Sequence, residues 1–141
     1  MNAYADIVML KSSSYLNITA TTYDTYLRRL LEQSSRMIDK YCDRYFYCYN
    51  GTKYYDGVSM LYPRDDILSI TTLKTDEDGD ATFENTLATT DYHLYPLNDL
   101  PKTRIEINPE GNYGSFASGI KKGVQIIGVF GYGDGVSATP Y

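Results

Sequence analysis

The sequence predicts an α+β fold, with a long N-terminal amphipathic helix packed on a mostly antiparallel β-sheet that carries long loops. Three observations predict it. Apolar residues recur every three or four positions between residues 22 and 45. Strand-like runs then follow at intervals of about a dozen residues. Glycine, proline and Asx residues punctuate those runs. A chain of 141 residues fits one domain. We divide it into a flexible N-terminal arm (1–21), a helix (22–45), a β-region (46–133) and a linker or C-terminal tail (134–141).

Within the arm, Ala3 to Leu10 has the composition for one or two helical turns, and Lys11 to Thr22 reads as a loop. Thr21 or Thr22 is the expected N-cap, with Asp24 placed to meet the positive end of the helix dipole. The series Tyr23, Leu27, Leu30, Leu31, Ser34, Ile38, Tyr41, Cys42 and Tyr45 marks one face expected to be buried. Beyond it the period changes. Asn50-Gly51 and Asp56-Gly57 are expected to be turns bracketing a short strand at 52–56. Leu61-Tyr-Pro63 reads as a strand end or edge, because proline cannot donate to a ladder. Ile67 to Lys74 is a strand. Asp76-Glu-Asp-Gly-Asp80 is the tip of a hairpin, with Asp78-Gly79 as a type I′ turn and Ala81 to Leu87 returning. Tyr92 to Tyr95 and Arg104 to Asn108 form a second pair. Gly123 to Tyr132 has the apolar density of a central strand.

Composition narrows the function. The net charge is −5, which argues against a nucleic-acid binder, since such proteins carry a basic stripe to displace counterions. No apolar run reaches the roughly 18 residues that span a bilayer, so no membrane association is expected. The start of the chain lacks the basic and apolar regions of a signal peptide, which predicts retention in a cytoplasm. Cys42 and Cys48 are too few for a disulfide framework or a four-ligand zinc site, and are expected to be small buried groups.

Charge is uneven along the chain. Arg28, Arg29, Arg36, Lys40 and Arg44 lie on the helix, whereas the stretch from Asp76 to Asp99 contains seven acids and no lysine or arginine. Such polarity suits head-to-tail contacts between identical subunits. Sixteen tyrosines and no tryptophan suit surfaces that are wet in a free subunit and dry in an assembly. Arg28, Arg29, Arg36, Asp76, Glu77, Asp78, Asp80, Tyr54 and Tyr55 are therefore the candidate interface residues.

Catalytic and ligand chemistry finds little support. Asp76, Asp78 and Asp80 alternate as in a calcium loop, but position 87 is Leu where the pattern needs a bidentate Glu, and Gly79 precedes the third acid. His93 is the sole histidine and sits in a strand, with no Gly-x-Ser-x-Gly elbow elsewhere; a hydrolase built on it with an acid from 76–80 is remote. Gly128 to Gly133 lacks the spacing of a phosphate loop. Tyr45 to Tyr49 and Tyr54-Tyr55 lack the accompanying cations of a base-stacking platform, beyond Lys53. We assign no catalytic, cofactor-binding or metal residue and expect no cofactor and no enzymatic activity.

One ordered set of motifs goes further. Ile38-Asp-Lys-Tyr-Cys-Asp-Arg-Tyr-Phe46, Tyr54-Tyr-Asp-Gly57, Ile67-Leu-Ser-Ile-Thr-Thr-Leu73, Asp91-Tyr-His-Leu-Tyr-Pro96 and Val124 to Gly133 follow one another along the chain. This set resembles the head–tail connector (adaptor) proteins of long-tailed bacteriophages over about residues 20–133. Members of that family usually continue past the Gly-Tyr-Gly strand into a further segment. The resemblance implies a non-enzymatic virion protein of the neck, assembled in the host cytoplasm. It implies a cyclic ring of this chain, twelve copies in the family, at the portal vertex. Its partners would be the portal protein on one side and a stopper or tail-completion protein on the other. DNA would pass through the channel without sequence-specific binding, as an acidic lumen would favour. The alternative reading is a small β-rich glycan- or peptide-binding module using exposed tyrosines.

Overall fold

A computed structural model describes residues 3–132 and has an α+β architecture of two helices and two antiparallel sheets. The helices are α1 (Ile7–Lys11) and α2 (Asp24–Cys42). The strands are β1 (Tyr49–Tyr55), β2 (Met60–Leu61), β3 (Ile67–Thr75), β4 (Asn85–Leu87), β5 (Tyr92–Tyr95), β6 (Arg104–Ile107) and β7 (Val124–Phe130). The expected C-terminal linker at 134–141 lies outside the described residues.

The larger sheet has the order β1-β7-β3-β4, so the run read as a central strand is central. Val124, Ile126 and Phe130 alternate onto its inner face, as period-two patterning requires. Gly128 continues that face where β3 departs from regular register between Ile67 and Ser69 and between Ile70 and Thr72. A Cβ on Gly128 would lie 2.1 Å from the Ser69 carbonyl oxygen, so the close strand approach needs glycine. The smaller sheet has the order β2-β6-β5, which joins the expected Tyr92–Tyr95 and Arg104 pair and puts the strand before Pro63 at an edge. Its inward side chains Leu61, Tyr92 and Ile105 join Ile67, Leu73, Leu87, Phe116, Val124, Ile126 and Phe130 in one core. Backbone hydrogen bonds between Ile67 and Lys102 tie the two sheets together.

Several sequence expectations are corrected. Asn50-Gly51 is no turn; both residues lie inside β1, paired with Val129 and Gly128. The strand expected at 52–56 therefore begins earlier, drawn out by pairing with β7. Asp78-Gly79 is no type I′ turn, because Gly79 and Ala81 have positive φ but Asp78 does not. Instead the Asp76 carboxylate accepts from the Gly79 and Ala81 N–H groups at 2.7 and 2.9 Å and folds the loop around itself. The helix starts two residues later than expected, at an N-cap of Tyr23 that makes no side-chain capping bond. Cys42 is exposed and Cys48 half-buried, so neither is the expected core residue.

The largest correction concerns α2. Most of the face expected to bury itself on the sheet is outward: Tyr23, Leu30, Ser34, Ile38, Tyr41, Cys42 and Tyr45 are exposed, Leu27 and Leu31 are half-buried, and Tyr26 and Met37 beside it are exposed too. Its buried residues are Ser35 and Asp39. These polar groups are covered because the arm supplies their partners. The Tyr4 N–H donates to Ser35 Oγ at 2.9 Å, and the Tyr4 hydroxyl donates to Asp39 Oδ1. Withdrawing a carboxylate from water is tolerated only with such partners. Helix α1, the turn expected within the arm, is capped by Asp6 and anchored by Ile7. Lys11 of α1 pairs with Asp24 of α2 at 2.5 Å.

Candidate functional site

Two features stand out: the uncovered side of α2, and a groove of about 500 Å³ between its C-terminal half and strand β1. Tyr23, Tyr26, Leu30, Met37 and Tyr41 fall three, four, seven and four residues apart, so they form one stripe along the helix. Met37 is 72% exposed and Tyr41 92%. A helix stripe of this kind is ordinarily a packing surface, and among the described residues nothing covers it.

The groove is built where the helix gives way to strand. α2 stops at Asp43, which adopts a left-handed conformation (φ 49°) and turns the chain toward β1. Arg36, Asp39, Lys40, Asp43, Arg44, Tyr45, Lys53, Arg64 and Asp65 line the groove. Five cations thus face three carboxylates, in a chain whose net charge is −5.

Each lining charge is positioned by a neighbour. Arg36 Nε lies 3.1 Å from Asp39 Oδ2, and its guanidinium stands 4.7 Å from the Tyr47 ring centre and 5.4 Å from that of Tyr4. Burial, and then the hydrogen bond to Asp39, push the Tyr4 hydroxyl up to about 12. That hydroxyl also accepts from the Phe46 N–H at 3.0 Å, so one side chain locks the helix to the strand entry. Arg44 pairs with Asp66 at 3.4 Å and covers the Tyr132 ring. Desolvation raises the Asp66 carboxyl despite that cation. Lys53 bonds Asp65 Oδ1 at 3.1 Å, while the Tyr55 hydroxyl donates to Asp65 Oδ2 at 3.0 Å. The Arg64–Asp43 pair is different, since its side chains are 81% and 78% exposed. Such pairs open at little cost. Among the described residues Lys40 makes no ion pair.

The candidate interface residues divide between distant places. Arg28 and Arg29 are exposed on α2, and Arg36 lies in the groove. Tyr54 is half-exposed on β1, stacked near Phe83 with Lys122 Nζ 4.4 Å from its ring centre, whereas Tyr55 turns to Asp65. Asp76 is buried, but Glu77, Asp78 and Asp80 are exposed. The hairpin carrying them leaves the sheet beyond Thr75 and Val124, whereas the groove lies along edge strand β1, where Lys53 is level with Ile126 and Leu73, and reaches from there to the end of α2. In the sheet order β7 stands between β1 and β3, so the groove strand and the strand that leads into the hairpin are about 10 Å apart at the usual strand spacing. The structure therefore separates the basic and acidic candidates within one chain.

At the hairpin, oxygens of Asp76, Asp78, Asp80 and Glu84 lie within 4.8 Å of one another. The loop uses most of them itself: Asp78 accepts from the Asp80 N–H, Asp80 from the Thr82 N–H, and Glu84 from the Glu77 N–H. His93 is exposed on β5, an ordinary strand position. Sequence reasoning missed Tyr4, Lys53, Arg64 and Asp65 as members of one site. The only trace was Arg64-Asp65-Asp66 placed between strands.

What fold and site define is an α+β protein with an uncovered helix surface, a cation-lined groove along edge strand β1 and an acidic hairpin joining β3 to β4. No protein-family model, curated protein or solved structure matches this chain.

Proposed function

We propose that this chain is a structural assembly protein, a head–tail connector subunit of a long-tailed phage that forms a ring at the portal vertex. In that reading it is non-enzymatic, sits in the virion neck and extends the DNA channel between the portal and a stopper or tail-completion protein. The observation that carries the reading is the uncovered stripe of α2. An exposed contiguous apolar surface on a folded chain marks an interaction site. The four tyrosines Tyr23, Tyr26, Tyr41 and Tyr45 together expose on the order of 500 Å², given the 150–250 Å² of an aromatic side chain. With Leu30, Met37 and Ile38 this approaches the roughly 800 Å² per partner of a stable interface.

The ordered motifs supply the identity of the assembly, and the acidic balance suits a channel through which DNA slides. The test is co-expression with the portal protein encoded in the same genome, followed by affinity purification and imaging. Rings of this chain stacked on the portal are expected. A chain that never accompanies the portal, in a genome with no portal or capsid gene beside it, would overturn the reading.

A further inference from the structure

We propose that the acidic hairpin of one copy, residues 76–84, seats in the cation-lined groove at the end of α2 in the next copy. The inference rests on the ring-forming reading above and names the contact that closes the ring. Its basis is the placement of charge. Glu77, Asp78, Asp80 and Glu84 are exposed and make no ion pair among the described residues. The groove lies along the β1 edge of the same sheet, two strands from β3, and holds Lys40 without an ion pair, with Arg64 in a solvent-exposed pair. Within one chain β7 and β3 stand between the groove strand β1 and the hairpin, and no ion pair joins the two among the described residues. Joining unlike patches on successive copies is a heterologous contact, which generates a ring when its rotation closes.

Cations near the hairpin already have partners of their own. Lys121 pairs with Asp56 at 2.8 Å, an exposed pair like Arg64–Asp43, and Lys122 sits over Tyr54. Lys74 is the remaining nearby cation, half-buried on β3. On the groove side, Asp43 is the carboxylate that an entering acid displaces, exchanging one exposed partner of Arg64 for another. The expected contact is therefore wet, charge-assisted and weakened by salt.

The test uses the full chain, alone at high concentration and bound to the portal. Copies labelled with heavy and light nitrogen are mixed and treated with a zero-length carbodiimide cross-linker. Isotopically mixed peptides joining Lys40 or Lys53 to an acid of 77–84 are expected. The hairpin variant Glu77→Lys/Glu84→Lys leaves the Asp76 cage intact, and the groove variant is Lys40→Glu/Arg64→Glu. Each alone is expected to weaken association tenfold or more, since like charges then oppose. Mixing the two variants restores it, because each hairpin then finds a groove of opposite sign. Circular dichroism establishes that both variants are folded. If copies associate with no such cross-link and neither reversal matters, this contact is wrong while the ring stands. If no mixed cross-link forms and the chain neither associates nor joins the portal, both fail.

Discussion

The helix α2 provides the sharpest test, through the double variant Met37→Ala/Tyr41→Ala. If this side of the helix were packed in a core, truncating two large side chains would cost about 5 kcal/mol or more. The structure predicts otherwise. Tyr41 covers only 8% of its area on folding, some 12–20 Å² of a 150–250 Å² side chain, which is about 0.3–0.5 kcal/mol. Met37 covers 28%, about 0.4–0.8 kcal/mol of the 1.5–3 that full burial would give. Alanine recovers a few tenths at each site through its higher helix propensity. The net loss is therefore below about 1 kcal/mol. Urea unfolding, followed by circular dichroism at micromolar concentration, measures it. A loss above about 3 kcal/mol in the isolated chain would refute the claim that this face is uncovered. Self-association at high concentration is expected to fall in the same variant.

Three further outcomes follow from the geometry. Gly128→Ala places a Cβ against the Ser69 carbonyl oxygen, backbone that cannot yield; a loss of about 3 kcal/mol or more in urea unfolding is expected. Tyr4→Phe removes the hydroxyl that donates to buried Asp39, leaving it Arg36, and should cost about 1.5–3 kcal/mol. Because the Tyr4 pKa is raised on folding, its contribution is complete below about pH 10 and fades as pH rises toward 12. The variant's stability deficit should shrink over that window, and a deficit independent of pH would contradict the assignment. Asp91 accepts from the Asn112 and Ala88 N–H groups, which hold its carboxyl below the usual range. Its stabilisation is present above about pH 4 and is lost as pH falls through the lowered value, so Asp91→Asn should flatten the acid limb of a stability–pH curve.

Much of the β-region was legible because each strand declares itself locally. Val124, Ile126 and Phe130 alternate inward, and Ile105 marks the second pair. What failed was long-range. Asn50-Gly51 has turn chemistry, yet pairing with β7 holds it extended. Asp78-Gly79 has hairpin chemistry, yet Asp76 reaches forward and builds a different loop. Apolar periodicity pointed to a face of α2 buried on the sheet, yet most of that face is exposed, since a repeat reports a surface and not its partner. Ser35 and Asp39 gave no sign of burial, because their partner, Tyr4, lies more than thirty residues upstream. The groove was invisible for the same reason: Lys53, Arg64 and Asp65 join Arg36 and Lys40 only after the sheet has formed.

The central claim is that this chain works as a ring-forming subunit on a portal, and particle imaging after co-expression with the portal of the same genome tests it most directly. The account predicts a closed ring of this chain on the portal, with α2 buried between or beneath subunits and the acidic hairpin of each copy against the groove of its neighbour. Portal particles that remain bare when this chain is present in excess would contradict it.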